Sequence, residues 1–376
     1  MRILQLTSDW KWTGSAEPML RLGLAQRERG FEVHLACPMA PDPRQGGLSQ
    51  EAEKAGLLPE LAILRGRGFR PLADRGETKA IHSLLEHHEI DIVHTWHTRD
   101  HLLALRAAGA RRRRGVTALV RSYRKADAIS RLPWNRWLFG PGTDGLLCVS
   151  PETAERNRAL RGGRPLRGVF GAVDTERFCP QPPDPQVRAA LGLAPEHRVV
   201  GIVARVQRHR RFDLLLEAAA RLLDRDPLTR LLVVGRGTHR QTVAEEPAQR
   251  MGLADRVIFA GYRKEDYTEV LRAMDVFTFL VPGSDGTCRA LLEAAACGIP
   301  AVTSKRGALP EIVVDGVTGI LCEEDPEALA NAWRDLLEAP LRRRSMGENA
   351  RRRAETVFTP AHFADEVTAL YREARG

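Results

Sequence analysis

Two carboxylates eight residues apart, Asp285 and Glu293 in DGTCRALLE (285–293), are the first candidates for chemistry. Gly286, Thr287 and Cys288 lie between them, where the apolar pattern predicts the start of a helix, RALLEAAACG, closed by Gly298. Free N–H groups at a helix start favour an anion. Carboxylates on either side of it accept hydrogen bonds from hydroxyls. A ligand with phosphates in its middle and hydroxyls at both ends, a nucleoside diphosphate sugar, fits that order of groups. The plainer reading is a capping acid and a surface glutamate. Glu293, however, stands between Leu291-Leu292 and Ala294-Ala295-Ala296, where an unpaired acid is costly to bury.

A second group is cationic. ARVQRHRRFD brings Arg205, Arg208, Arg210 and Arg211 to the turn between a strand and a helix. Like charges so close repel, and an anion among them relieves the repulsion; a solvated basic loop is the alternative. Gly235-Arg236-Gly237 ends another strand, where glycines permit either close approach to a ligand or a packing turn. Gly14 and Ser15 follow the first strand and lead into a helix, a position suited to a phosphate; an ordinary turn reads as well. The turn FAGYRKED, with Tyr262 and Arg263, is a candidate for base recognition. His94, His97 and His101 have metal-like spacing, but the first falls in a strand and the last in a helix. His97, at the turn, is the one expected to face a ligand, as a general base or hydrogen-bond partner.

The elements that must hold these residues alternate. RILQLTS, FEVHLACP, DIVHTW, VTALVRS and DGLLCVS read as strands separated by helices, the signature of a parallel sheet. Four prolines within 180–185 interrupt the pattern, and it resumes with RVVGIVARV, LTRLLVVGRG, RVIFAGY, DVFTFL and IPAVTSK. The expected organisation is α/β: two doubly wound domains, 1–178 and 196–359, joined by a linker at 179–195. The last helix, with Phe363, Val367, Leu370 and Tyr371 on one face, is expected to return to the first domain as residues 360–376. Ligands of such sheets bind beyond the carboxyl ends of the strands, so a cleft between the domains is the expected site.

Composition narrows the classes. No apolar run approaches the roughly 20 residues of a membrane span, and the start of the chain is not patterned as a signal peptide. A cytoplasmic protein, touching a membrane only at its surface, is the expectation. The six cysteines show neither CxxC spacing nor zinc-site partners and read as small buried hydrophobes. The net charge of +9 sits in the first half: residues 1–175 hold 28 Lys+Arg against 19 Asp+Glu. Such a field suits an anionic partner, unless it reflects only an arginine-rich surface. No nucleic-acid recognition motif and no G-x-G-x-x-G fingerprint is present, which argues against nucleic-acid binding and nicotinamide chemistry.

The second half resembles the donor domain of GT-B glycosyltransferases, specifically the family 4-like group. Its E-x7-E motif corresponds to Asp285-x7-Glu293 followed by AAACGIPAVTSKRGALPEIVVDGVTGIL. GAVDTERF (171–178), ARVQRHRRFDLLLEA and GSAE (14–17) resemble further family segments, so the likeness spans nearly the whole chain. It implies a metal-independent, retaining transfer from a nucleoside diphosphate sugar, UDP being the expected nucleotide. Carried over, Glu293 would bind the ribose hydroxyls and Asp285 the sugar. Arg205 and Arg210 would hold the diphosphate, Gly14 would approach the sugar or phosphate, and His97 would lie near the reacting carbon. Three positions depart from the family: Asp285 for Glu, Arg210 for Lys and Arg211 for Gly. The resemblance leaves room for a GT-B-shaped epimerase or phosphorylase.

The first domain would take the acceptor. GARRRRG (109–115), VRSYRK (120–125) and SRLPWNRWLFG (130–140) are basic, and the last carries Leu132, Trp134, Trp137, Leu138 and Phe139. Arginines mixed with aromatics suit an anionic bilayer interface and a lipid-linked or lipopolysaccharide acceptor. The competing reading buries the aromatics in the core.

Overall fold

Strands that read as short unbroken apolar runs pair into two all-parallel sheets, as they must when helices cover both faces. The computed structural model describes all residues except 13–15, 43–45, 61–70 and 283–285, and the side chains of 71–73. Gly14, Ser15 and Asp285 therefore lie outside the described residues. The chain divides into two units, Met1–Gly171 with Ser284–Thr287 and Pro360–Gly376, and Ala172–Gly283 with Cys288–Thr359.

In the first unit β1 (Arg2–Leu6), β2 (Glu32–Ala36), β3 (Ile92–Thr95), β4 (Ala118–Tyr123), β5 (Gly145–Cys148) and β6 (Leu166–Gly168) form a sheet of order β2-β1-β3-β4-β5-β6. In the second, β7 (Arg198–Val203), β8 (Thr229–Val234), β9 (Val257–Gly261), β10 (Val276–Phe279), β11 (Ala301–Ser304) and β12 (Gly319–Cys322) are ordered β12-β11-β10-β7-β8-β9. The strand order reverses between β1 and β3 in one sheet and between β7 and β10 in the other. Those reversals are where ligands of open α/β sheets sit.

The helix Phe212–Arg225 shows why such a layer is stable. Phe212, Leu215, Leu216, Ala219, Leu222 and Leu223 recur at helical spacing and are buried. They pack in one core with Trp333, Leu336 and Leu337 of the helix Pro326–Glu338. Residues 179–195 include the helix Pro185–Ala190, capped by Asp184. Its Arg188 donates to the carbonyls of Ala273, Ala194 and His197.

The C-terminal helix Pro360–Arg375 buries Phe363, Val367, Leu370 and Tyr371 within the first unit. Tyr371 Oη lies 2.6 Å from His94 Nδ1, whose Nε2 lies 2.8 Å from Ser122 Oγ. Arg167 adds an ion pair to Glu366 at 2.6 Å. Five of the six cysteines are buried, and all six are free.

Candidate functional site

The turn after β7 carries the cations, and the structure treats them differently. Arg205 is exposed, and among the described residues no carboxylate pairs with it. Arg210 closes a single 3-10 turn and is buried. Its Nη1 donates to Val281 O at 2.7 Å, just beyond β10. That bond joins the two sides of the sheet's reversal point.

Arg211 caps the helix Phe212–Arg225 in the left-handed region, at φ +58°. A side chain there costs roughly 1 kcal/mol relative to glycine. Arg211 reaches Asp213 at 3.2 Å and also pairs with Glu324. Acids therefore absorb its charge, whereas the sequence reading counted it among the cations awaiting an anion.

Gly235 and Gly237 make a close approach to protein backbone. A Cβ on Gly235 would lie 2.0 Å from Ala204 O, and one on Gly237 would lie 2.0 Å from Val206 O. The turn after β8 thus rests directly on the turn that carries Arg205. Past β9, the Arg236 guanidinium stacks 4.7 Å from the Tyr262 ring, which is 60% exposed. Arg263 is occupied by Asp266, with Nε to Oδ1 at 3.0 Å. That hydrogen bond holds the Asp266 carboxyl below its usual range.

After β10 the chain enters the helix Arg289–Ala296. Gly286 (φ +66°) and Cys288 (φ +49°) both take left-handed conformations at its start. Glu293 is 3% exposed. Tyr267 Oη donates to its Oε2 at 2.6 Å, and Arg289 Nε lies 3.1 Å from its Oε1. Each oxygen of the buried acid is held, which answers the cost of burial. Burial, with the Glu293 charge beside it, pushes the Tyr267 hydroxyl well above its ordinary pKa, so it stays a donor. Sequence reasoning missed Tyr267: it comes from another helix, Tyr267–Arg272, and nothing local marks it. Arg205 and Arg210 thus stand on the turn that follows β7, Gly235 on the turn that follows β8, and Glu293 about one turn into the helix that follows β10.

In the first unit, the ends of β1 and β3 are tied by one acid. Asp100 accepts from Ser8 N at 2.9 Å and from His97 N at 3.1 Å. Burial pushes its pKa up to about 7. His97 sits half-buried beyond β3, at the reversal point of its sheet.

His94 and His101 do not share a metal with it. His101 Nδ1 meets Thr95 Oγ1 at 2.8 Å and its Nε2 meets Gly142 O at 2.8 Å. Burial lowers the pKa of both His94 and His101 to about 3, so both are neutral.

Several arginines of the basic half are structural. Arg111 is buried and bonds Thr117 and Glu86, and Arg112 bonds Asp144. Arg121 is buried 4.3 Å from the Phe139 ring and donates to Thr98 at 2.7 Å. The 130–140 stretch divides: Leu138 and Phe139 are buried, while Leu132, Trp134 and Trp137 are exposed.

Comparison with known proteins extends this picture. Residues 184–353 match the family Glycosyl transferases group 1, and residues 12–177 match Glycosyltransferase Family 4. A GDP-mannose-dependent alpha-(1-6)-phosphatidylinositol monomannoside mannosyltransferase of Mycolicibacterium smegmatis is 32% identical over 280 residues, 70% of this chain and 72% of that protein. A D-inositol 3-phosphate glycosyltransferase of Rhodococcus opacus is 36% identical over 60% of this chain and 53% of its own length. The chain thus spans about half the length of relatives of that kind. The Anabaena protein HepE, solved in complex with UDP, superposes with a TM-score of 0.81 at 20% identity, covering 98% of this chain and 99% of its own. At that identity the likeness is one of fold.

Proposed function

Because the chain belongs to the family 4-like glycosyltransferases, the glycosyl transferases group 1, we propose that it moves a sugar from a nucleoside diphosphate sugar to a hydroxyl of a phosphate-bearing or lipid-linked acceptor. The observation that carries this reading is Glu293: a carboxylate 3% exposed, contacted at both oxygens, in the helix that follows β10. A held carboxylate is an acceptor for the paired hydroxyls of a ribose. Arg205 and Arg210 lie on the neighbouring turn, where they would hold the diphosphate. There they would stabilise the negative charge that develops on it as the sugar leaves. The exposed Tyr262 with Arg236 beneath it offers a face for the base. His97 would act near the reacting carbon, with Asp100 fixing the backbone that carries it. Retention of anomeric configuration, and uridine as the base, are the finer expectations; the mannosyltransferase relative is named for GDP-mannose, which makes guanosine the competitor.

The acceptor side rests on charge and shape. Both relatives are named for inositol derivatives carrying phosphate, and the excess positive charge lies in the first half of the chain. The helix Pro133–Phe139 exposes Trp134 and Trp137, their rings 5.2 Å apart, beside Leu132. Exposed indoles next to arginines suit the headgroup region of an anionic bilayer. Among the described residues no helix is long and apolar enough to cross a membrane.

Two experiments test the reading. Incubation with UDP- and GDP-sugars and a phosphatidylinositol or inositol phosphate acceptor should release nucleoside diphosphate and glycosylate the acceptor. Turnover with none of these pairs counts against it. Flotation with anionic vesicles should show salt-sensitive binding, weakened at least about tenfold in Trp134→Ala/Trp137→Ala; equal flotation with neutral vesicles would remove the membrane reading.

A further inference from the structure

The edge strand of the first sheet gathers a second cluster that the transfer reaction does not use. Alternation along β2 places Glu32 and His34 on one face. The outer edge of β2 is bridged at Leu35 by Pro59, and Glu60 N donates to Leu35 O at 2.6 Å, which sets Glu60 beside His34. His88 ends the last turn of the helix Pro71–His87 through His88 N to Leu84 O at 3.0 Å. Glu89, at φ +47°, then turns the chain back toward β3. Three separate segments thus bring their side chains together on fixed backbone.

The two imidazoles touch, with ring centroids 4.0 Å apart. His34 Nε2 lies 2.9 Å from Glu32 Oε1. The other nitrogen of His34, Nδ1, faces Glu60 Oε1 at 3.9 Å, and His88 Nε2 faces the same oxygen at 3.4 Å. One ligand atom from each of Glu32, His34 and His88 lies within 4.8 Å of the others.

We propose that Glu32, His34 and His88 bind a zinc-class divalent metal ion, with Glu60 orienting both imidazoles from the opposite side. Imidazole nitrogen and carboxylate oxygen are the donor set such an ion takes. A ligating histidine ordinarily gives its second N–H to a carboxylate, which fixes its tautomer. Glu60 Oε1 lies 3.4 Å from His88 Nε2 and 3.9 Å from His34 Nδ1, near enough for a small rotation to bring it to the second nitrogen of each ring, leaving His34 Nε2 and His88 Nδ1 for the ion. Bonds of about 2.1 Å in a tetrahedral set separate ligand atoms by roughly 3.4 Å, so side-chain rotation on fixed backbone closes the site. Arg2, near enough to Glu32 to feel its charge, is the competing cation. The bound ion would clip the edge strand to the end of the helix Pro71–His87.

The test is a Zn²⁺ titration of the EDTA-stripped full chain against a chromogenic zinc indicator. One equivalent is expected to bind. His34→Ala and His88→Ala should each weaken it at least about tenfold, and Glu60→Gln by about tenfold or more. His87→Ala, whose ring only packs on His88 at 4.7 Å, should bind as the parent chain does. Because Glu60→Gln changes one partly exposed side chain, it reports on the site even if a histidine variant fails to fold. Absence of one-equivalent binding, or binding undiminished in His34→Ala, His88→Ala and Glu60→Gln, overturns the proposal.

Discussion

Removing one oxygen atom from Tyr267 probes the hold on Glu293. In Tyr267→Phe the ring remains, with its edge-to-face contact to Phe178 at 5.9 Å, so little volume is lost. What disappears is a 2.6 Å hydrogen bond to a carboxylate 3% exposed. Bonds to charged groups contribute about 1.5–3 kcal/mol, and the fully buried donor places this one toward the upper end. Urea unfolding of the second unit should therefore show a loss of about 2–3 kcal/mol. Arg289 still lies 3.1 Å from Oε1, while Oε2 loses the Tyr267 hydroxyl. Calorimetric titration of a nucleoside diphosphate should weaken about tenfold, roughly 1.4 kcal/mol. An unchanged unfolding midpoint together with unchanged nucleotide affinity would refute the reasoning. It would mean either that the bond contributes nothing or that Glu293 does not meet the ligand.

Other consequences follow from the same geometry. His94 and His101 have folded pKa values near 3, below the unfolded value of about 6.5. The unfolded chain then binds protons that the folded one refuses, so stability falls as pH drops from 6.5 toward 3. From pH 7 to 5 each should remove about 2 kcal/mol, while Asp100, held near 7 by burial against an unfolded value of about 3.9, returns about 2, leaving a net loss of about 2 kcal/mol. Urea midpoints at pH 7, 6 and 5 check this, and a flat profile contradicts it. Gly235→Ala puts a Cβ 2.0 Å from Ala204 O at φ +140°; a loss of more than about 3 kcal/mol, or failure to fold, is expected in the same assay. Arg211→Gly relieves a left-handed side chain while giving up two ion pairs, both made by a partly exposed guanidinium. The two effects should cancel to within about 1 kcal/mol, with nucleotide affinity unchanged.

The sequence made some of this architecture legible and left some of it hidden, and the difference is one of range. Apolar runs separated by helical segments announced the parallel strands because helices bury such strands on both faces. The three-residue β6 is too short to carry a pattern. Glu293 stood out because an acid among Leu and Ala needs a partner, yet the partner, Tyr267, comes from a helix 26 residues away. Arg210 and Arg211 are adjacent in one basic run, and the family resemblance gave a diphosphate role to the first alone. Backbone geometry separates them, turning one toward Val281 O and the other toward Asp213 and Glu324. Similarly, GARRRRG reads as one basic block, but Arg111 is spent on Thr117 and Glu86 while Arg113 and Arg114 remain exposed. The Glu32–His34–His88 cluster joins an edge strand to the far end of a helix, a meeting that no spacing rule encodes.

The central claim is that the second sheet's reversal point binds a nucleoside diphosphate through Glu293. Thermal unfolding with UDP, GDP, ADP and inorganic phosphate, for the parent chain and for Glu293→Ala, tests it most directly. A ligand at a hundred times its Kd should stabilise the folded state by about 2.7 kcal/mol. The account predicts a raised midpoint with one of the nucleoside diphosphates, abolished by Glu293→Ala. A chain that responds to none of them, or a Glu293→Ala variant that responds as strongly as the parent, would contradict it.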